Sequence, residues 1–248
     1  MSKKIKKYLV ITGVIFGIGV IVLLINAWSL IGSNPEKMWL HRCNSLEKWE
    51  EMQHSHDNFE VDVVWRDSIF DVTHDVDVTF NQRLEPFVSQ LKHNKNKMWI
   101  DAKNLNATNW ANATQRLDFL LEKYDIDKSR VIIESSSVDA LHHLNKNGYY
   151  TSYYIDFPNP NDLDDNQVED VVDSIENVVE DGCCDAISFP YWWYDELEDE
   201  FDDNSIDMLT WCHRTSQFEF FLTPWCYEML NDSQVKVILV KDKGSYHR

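Results

Sequence analysis

The chain has 248 residues, a formal net charge of −19 and 44% hydrophobic residues. That length and apolar content support one sizeable core and exclude a globally disordered chain. So acidic an average field repels polyanions, which excludes nucleic acid and counts against anionic surfaces as partners; a phosphate substrate has to be received locally, by a cation and a few basic side chains.

Lys3, Lys4, Lys6 and Lys7 precede an apolar run from Tyr8 to about Gly32 that contains no Asp, Glu, Lys or Arg. A bilayer core needs about 20 such residues. A cleaved signal peptide would have a shorter apolar region, about 7–15 residues, ending in a small-x-small site. Asn26-Ala27-Trp28-Ser29 offers none. The expectation is a single-pass anchor with the lysines in the cytoplasm and the rest of the chain extracytoplasmic, periplasmic or lumenal. Residues 1–32 then form the lysine stretch and anchor, 33–37 a linker, and 38–248 one folded domain. Cys43, Cys183, Cys184, Cys212 and Cys226 are an odd set. Export permits a bridge among the last four, and buried free thiols are the other reading. Asn106, Asn112 and Asn231 begin Asn-x-Ser/Thr triplets, which matter only on a eukaryotic secretory route.

Beyond the linker, strand and helix signals alternate. The predicted strands are 38–42, 59–66, 97–103, 130–135, 151–157, 186–191, 218–223 and 235–241, each rich in β-branched or aromatic residues with turn residues nearby. A short ninth, 69–73, would pair as a hairpin with the second. The predicted helices are 46–54, 84–93, 110–124, 138–147, 167–181 and 206–216, with Gly148 and Gly182 where two of them should stop. The acidic run Asp195–Asp203 reads as a solvated loop or helix start. Eight strands with intervening helices predict a (β/α)8 TIM barrel, whose chemistry lies at the C-terminal ends of its strands.

Polar residues gather at those ends. Glu60-x-Asp62 and Asp101-x-Lys103 each place two side chains on one strand face. Glu60, Asp62 and Asp101 offer hard oxygen donors that suit Mg2+ or Ca2+ better than zinc. His41 and His74 can act as a base and an acid, and Arg42 and Lys103 as phosphate-binding groups. Glu134 is an additional site acid or a capping partner for the helix that follows. His54, His56, His142, His143, His213 and His247 read as structural or surface residues. The aromatic clusters at Tyr191–Tyr194 and Trp225–Tyr227 are either mouth walls for an apolar or sugar-like group or packing beneath loops.

In their order, His41-Arg42, Glu60-Val-Asp62, His74-Asp75 and Asp101-Ala-Lys103 resemble the glycerophosphodiester phosphodiesterase and phospholipase C-like superfamily. The phrases HRCNS, FEVDVVW, FDVTHD and MWIDAKNL are most similar to its menorin-like branch. The motifs cover roughly residues 38–136. The resemblance implies Glu60, Asp62 and Asp101 as metal ligands, His41 and His74 as the acid/base pair, and Arg42 and Lys103 on phosphate. There are two departures. Cys43-Asn44-Ser45 replaces the family's Gly-x-Glu-Asn-Thr stretch, and Asp101 stands one methylene short of Glu. The expected function is a membrane-anchored, metal-dependent phosphodiester hydrolase acting on a small molecule or on a lipid or glycan head group. The alternatives are an inactive barrel that binds a glycan or protein and, last, a glycoside hydrolase, which would leave Arg42, Lys103 and both histidines without a task.

Overall fold

The computed structural model describes residues 3–201, 205–212, 215–220, 223 and 226–244. Its first element, α1 (Lys3–Ser33), contains the apolar stretch Lys4–Asn26, long and apolar enough to cross a membrane. Nine strands follow: β1 (Met38–Leu40), β2 (Phe59–Arg66), β3 (Ile69–Val72), β4 (Met98–Ala102), β5 (Val131–Ser135), β6 (Tyr150–Tyr154), β7 (Ala186–Pro190), β8 (Asp207–Trp211) and β9 (Val235–Val240). Between them run α2 (Leu46–Met52), α3 (Glu85–Gln90), α4 (Trp110–Tyr124), α5 (Val138–Lys146), α6 (Asp165–Glu180), α7 (Tyr194–Glu200), α8 (Gln217–Phe220) and α9 (Cys226–Asn231).

Eight strands pair in parallel, in the order β1-β9-β8-β7-β6-β5-β4-β2, and β2 closes back on β1. This is the expected TIM barrel. β3 lies outside the cylinder, antiparallel to β2, as the hairpin signal predicts. The β1–β2 closure has a single register pair, Leu40 opposite Phe59, whereas β2 and β4 share five. Because the eight strands are parallel, all begin at one end of the barrel, the bottom, and finish at the other, the mouth.

Local chemistry sets the helix limits. Ser45 caps α2 by accepting the Lys48 N–H, and Ser137 caps α5 by accepting from Ala140. Asp164 and Gln167 form a reciprocal capping box that starts α6 two residues earlier than its apolar stripe implies. Gly148 (φ 83°) and Gly182 (φ 59°) follow α5 and α6 in the left-handed region, which costs glycine nothing.

One part of the sequence reading is overturned. Residues 206–216, expected as a helix, contain β8, and residues 218–223, expected as a strand, begin inside α8. Met208, Leu209 and Thr210 are buried between β7 and β9, so sheet pairing overrides the helical leaning of Met and Leu. At the start of α8, Ser216 Oγ accepts the Glu219 N–H at 3.2 Å while Glu219 accepts the Ser216 N–H at 3.0 Å. This capping box turns the aromatic run helical and buries Phe220. The acidic run is helical as α7 up to Glu200, and part of it, 202–204, lies outside the described residues.

The barrel interior is layered. Trp39, Trp99, Ile132, Leu209, Val237 and Leu239 pack together as an apolar plug. Register then places Asp62 beside Asp101, Asp101 beside Glu134 and Glu134 beside Ser152, a polar tier across four strands. All five cysteines are buried and unbridged, in line with the free-thiol reading.

Candidate active site

Every residue singled out at the strand ends lines one cavity of about 180 Å³ at the mouth: His41, Arg42, Glu60, Asp62, His74, Asp101, Lys103 and Glu134. They come from the ends of β1, β4 and β5, from the first half of the longer β2 and from the segment after β3. Period-2 alternation explains the grouping. Glu60 and Asp62 point inward while Val61 and Val63 pack outward against the helices.

Arg42 is the hinge of the site. Its backbone is left-handed (φ 50°), an uncommon conformation for a residue with a side chain. Three bonds hold that turn. The Arg42 N–H donates to Glu60 Oε2 at 2.5 Å, and Lys48 Nζ donates to the carbonyls of His41 and Arg42 at 2.8 and 2.9 Å. Lys48 is fully buried, and burial lowers its pKa to about 8. The Arg42 guanidinium lies 2.5 Å from His74 Nε2, and His74 Nδ1 is 2.8 Å from Asp75. With Asp75 accepting, Nδ1 carries the proton and Nε2 accepts from Arg42.

The carboxylates crowd together. Glu60, Asp62 and Asp101 each offer an oxygen within 4.8 Å of the others. Lys103 Nζ lies between two of them, 2.8 Å from Asp62 and paired with Asp101. Asn44 donates to Asp62 at 2.6 Å and accepts the Asp62 N–H at 3.0 Å, which fixes that carboxylate. Burial, then Asp62 and Asp101, push Glu60 well above the carboxylate range, and burial with Asp101 does the same to Glu134. Burial also pushes Asp101 up to about 6 against the pull of Lys103. Burial alone would raise Asp62 too, but Lys103, His74 and the hydrogen bonds from Lys103 and Asn44 hold it well below its ordinary value. Lys103 rises well above its ordinary value because Asp101 and Asp62 outweigh its own burial. Negative charge is therefore held most firmly on Asp62, opposite the lysine. Burial drives His41 well below its ordinary value, so its imidazole is neutral at pH 7.

The three acids fit a hard divalent cation. They are oxygen donors converging on one point, and Glu60 Oε1 is buried without a hydrogen-bond partner. Glu134 lies in the same cavity and bonds with Ser188 rather than capping a helix; α5 has Ser137 for that purpose.

Opposite the acids stands an aromatic wall. Tyr154 and Trp211 stack with centroids 5.4 Å apart and planes 6° from parallel, and Phe157 and Trp192 complete the lining. Of the expected clusters, Trp192 reaches the cavity. Trp193 and Tyr194 are buried in the core, and Tyr227 packs against it. Trp225, His213 and His247 lie outside the described residues. His56, read as structural, is buried and 2.8 Å from Asp242; His143 stacks on Trp110. Asn44, Tyr154, Asp156, Phe157 and Trp211 went unread. For Trp211 the reason is the misplaced strand. For Asn44 the signal was its place two residues beyond Arg42, where a side chain folds back on β2.

No protein-family model matches the sequence, and no curated protein matches it. Solved structures do. A Galdieria sulphuraria protein assigned as a glycerophosphodiester phosphodiesterase superposes with a TM-score of 0.59 at 17% identity, covering 82% of this chain and 93% of that one. A glycerophosphodiester phosphodiesterase from Parabacteroides distasonis gives 0.57 at 16%, covering 82% and 91%. An Oleispira antarctica phosphodiesterase, in complex with the product sn-glycerol-3-phosphate, gives 0.57 at 12%, covering 82% and 92%. At these identities the likeness establishes the barrel fold.

Proposed function

We propose that the protein is a metal-dependent phosphodiester hydrolase similar to the glycerophosphodiester phosphodiesterases, nearest their menorin-like branch, with its barrel held extracytoplasmically by α1. The observation that carries this reading is the convergence of two imidazoles, three carboxylates, an arginine and a lysine on one small cavity. The fold shared with phosphodiesterases, one of them with a bound glycerol phosphate, supports it.

Glu60, Asp62 and Asp101 would hold a divalent cation, Mg2+ or Ca2+, which when bound offsets phosphate charge and polarises a phosphoryl oxygen. Arg42, turned into the cavity by its left-handed backbone, offers a fork to the phosphate oxygens, and Lys103 adds a point charge. His41, kept neutral by burial, accepts the proton of the attacking hydroxyl. That hydroxyl is water, or an alcohol of the substrate itself, in which case the product is a cyclic phosphate. His74, its ring oriented by Asp75, would take up a proton at Nε2 once the substrate phosphate draws Arg42 away from that nitrogen, and as imidazolium it protonates the leaving alcohol. Asn44 holds Asp62 in register.

The test is hydrolysis of glycerophosphodiesters by the purified full chain, with Mg2+ or Ca2+ and then with chelator. Turnover that the chelator abolishes and the metal restores is expected. No turnover of any diester would sink the reading. A second reading, an inactive barrel that binds a glycan, is favoured by the stacked Tyr154–Trp211 wall, a platform suited to a sugar face.

A further inference from the structure

We propose that the barrel stands bottom-down on the membrane crossed by α1, with its mouth turned away, so that its substrate is a diester dissolved in the aqueous phase and not a lipid of that membrane. The inference rests on the anchored-phosphodiesterase reading above and adds the side from which substrate arrives.

Chain connectivity carries it. α1 ends at Ser33 and β1 begins at Met38. Since all barrel strands start at the bottom, the anchor joins the barrel at the end opposite the site. Residues 34–37 are curled into a turn, with the Lys37 N–H donating to Asn34 O at 3.2 Å. Lys37 Nζ ties that turn to the carbonyls of Leu230 and Asp232 at 3.0 and 2.6 Å, and Trp39 Nε1 donates to Glu36 O at 2.7 Å. Even fully extended, four residues reach only about 14 Å. A five-residue strand alone is about 17 Å long. A tether of that length, pinned to the bottom, lets the barrel tilt but not invert.

Surface charge runs the same way. At the bottom, before β4, residues 91–97 carry exposed Lys92, Lys95 and Lys97 and no acid. Arg130, before β5, binds this loop through the carbonyls of Leu91 and Asn96. Lys128 binds the carbonyl of Asn147, beside exposed Lys146 before β6. Before β5, exposed Asp125 and Asp127 and the Lys128–Asp118 pair offset these cations, so the basic sector is the loop 91–97 itself, in a protein whose net charge is −19. At the lip of the mouth, Asp75, Asp77 and Asp156 are exposed. Anionic headgroups attract the lysines of loop 91–97 and repel the acidic lip, although exposed Glu36, Asp57 and Asp181 share the bottom with those lysines.

The test uses the full chain in phosphatidylcholine–phosphatidylglycerol vesicles with headgroup-attached quencher. One fluorophore is placed at the mouth (Val76→Cys) and one at the bottom (Ser129→Cys); the five native cysteines are buried. Quenching several-fold stronger at 129 than at 76 is expected. Equal or reversed quenching overturns the proposal, as does a chain that the vesicles do not retain. Val76, Val78 and Phe80 are exposed apolar residues on the mouth loop, so a mouth that dips into lipid would be seen directly. In parallel, soluble glycerophosphocholine should be cleaved at least tenfold faster than phosphatidylglycerol of the carrying vesicle, and equal rates overturn the proposal. Hydrolysis of neither defeats the phosphodiesterase reading, while the quenching still decides the orientation.

Discussion

Replacing Glu60 by Gln separates cation binding from folding. Glu60 is 1% exposed and accepts the Arg42 N–H through Oε2. Gln keeps the shape and an acceptor oxygen, so the bond that holds the left-handed turn survives. Only the capacity for negative charge is lost. Without metal, burial and the neighbouring acids push Glu60 well above its ordinary value, so the neutral Gln resembles the form they favour and the metal-free stability should change by less than about 1 kcal/mol. With metal the outcome differs. A ligand at about 100 times its Kd stabilises the folded state by about 2.7 kcal/mol. A domain of this size gains about 2–4 °C in Tm per kcal/mol, so the wild type should rise by about 5–11 °C. The assay is thermal unfolding of the detergent-solubilised full chain, followed by tryptophan fluorescence, in chelator and in saturating Mg2+ or Ca2+. The wild type should show the rise and Glu60→Gln should lose it. A variant with the full rise, or a wild type with none, would refute Glu60 as a ligand.

Other outcomes follow from the same geometry. His41→Ala and His74→Ala should each lower turnover by about 100-fold or more, measured as phosphodiester hydrolysis at saturating substrate; full activity in both would reject the acid/base assignment. Lys48 bears on stability against pH. Its folded pKa, about 8, lies below its unfolded value, so the unfolded chain binds more protons between those limits and stability rises with pH across the window. Relative to Lys48→Met, the wild type should gain about 2–3 kcal/mol between pH 7 and pH 10 in urea melts, and a flat difference would contradict a buried charged amine. The thiols of the native protein should resist a disulfide-exchange reagent until denaturant is added, because all five are buried and unbridged; stoichiometric reaction in buffer would contradict that burial.

The site was legible because its chemistry is local. Glu60-Val-Asp62 and Asp101-Ala-Lys103 carry their facing in their own spacing, and His41-Arg42 closes a strand whose apolar residues mark its end. β2 and α4 match their predicted limits for the same reason, since each shows an unbroken period. The seventh barrel strand was not legible where it stands. Asp207–Trp211 is strand only because β7 and β9 flank it, and Ser216–Glu219 overrides an aromatic run through two hydrogen bonds at its cap. Asn44 and Trp211 were missed because their roles depend on what folds opposite them, Asp62 in one case and Tyr154 in the other.

The thin closure between β1 and β2 places the working groups on the weakest joint of the cylinder. His41 and Arg42 stand on one side of that seam and Glu60 and Asp62 on the other, and beside Leu40 and Phe59 the stitches across it belong to the site: Cys43 N–H to Glu60 O, Arg42 N–H to Glu60 Oε2 and Asn44 to Asp62. Sealing the hoop and assembling the candidate site are therefore a single event. Amide hydrogens along the β1–β2 clasp should exchange before those of β4 and β5, and whatever tightens the centre should slow them.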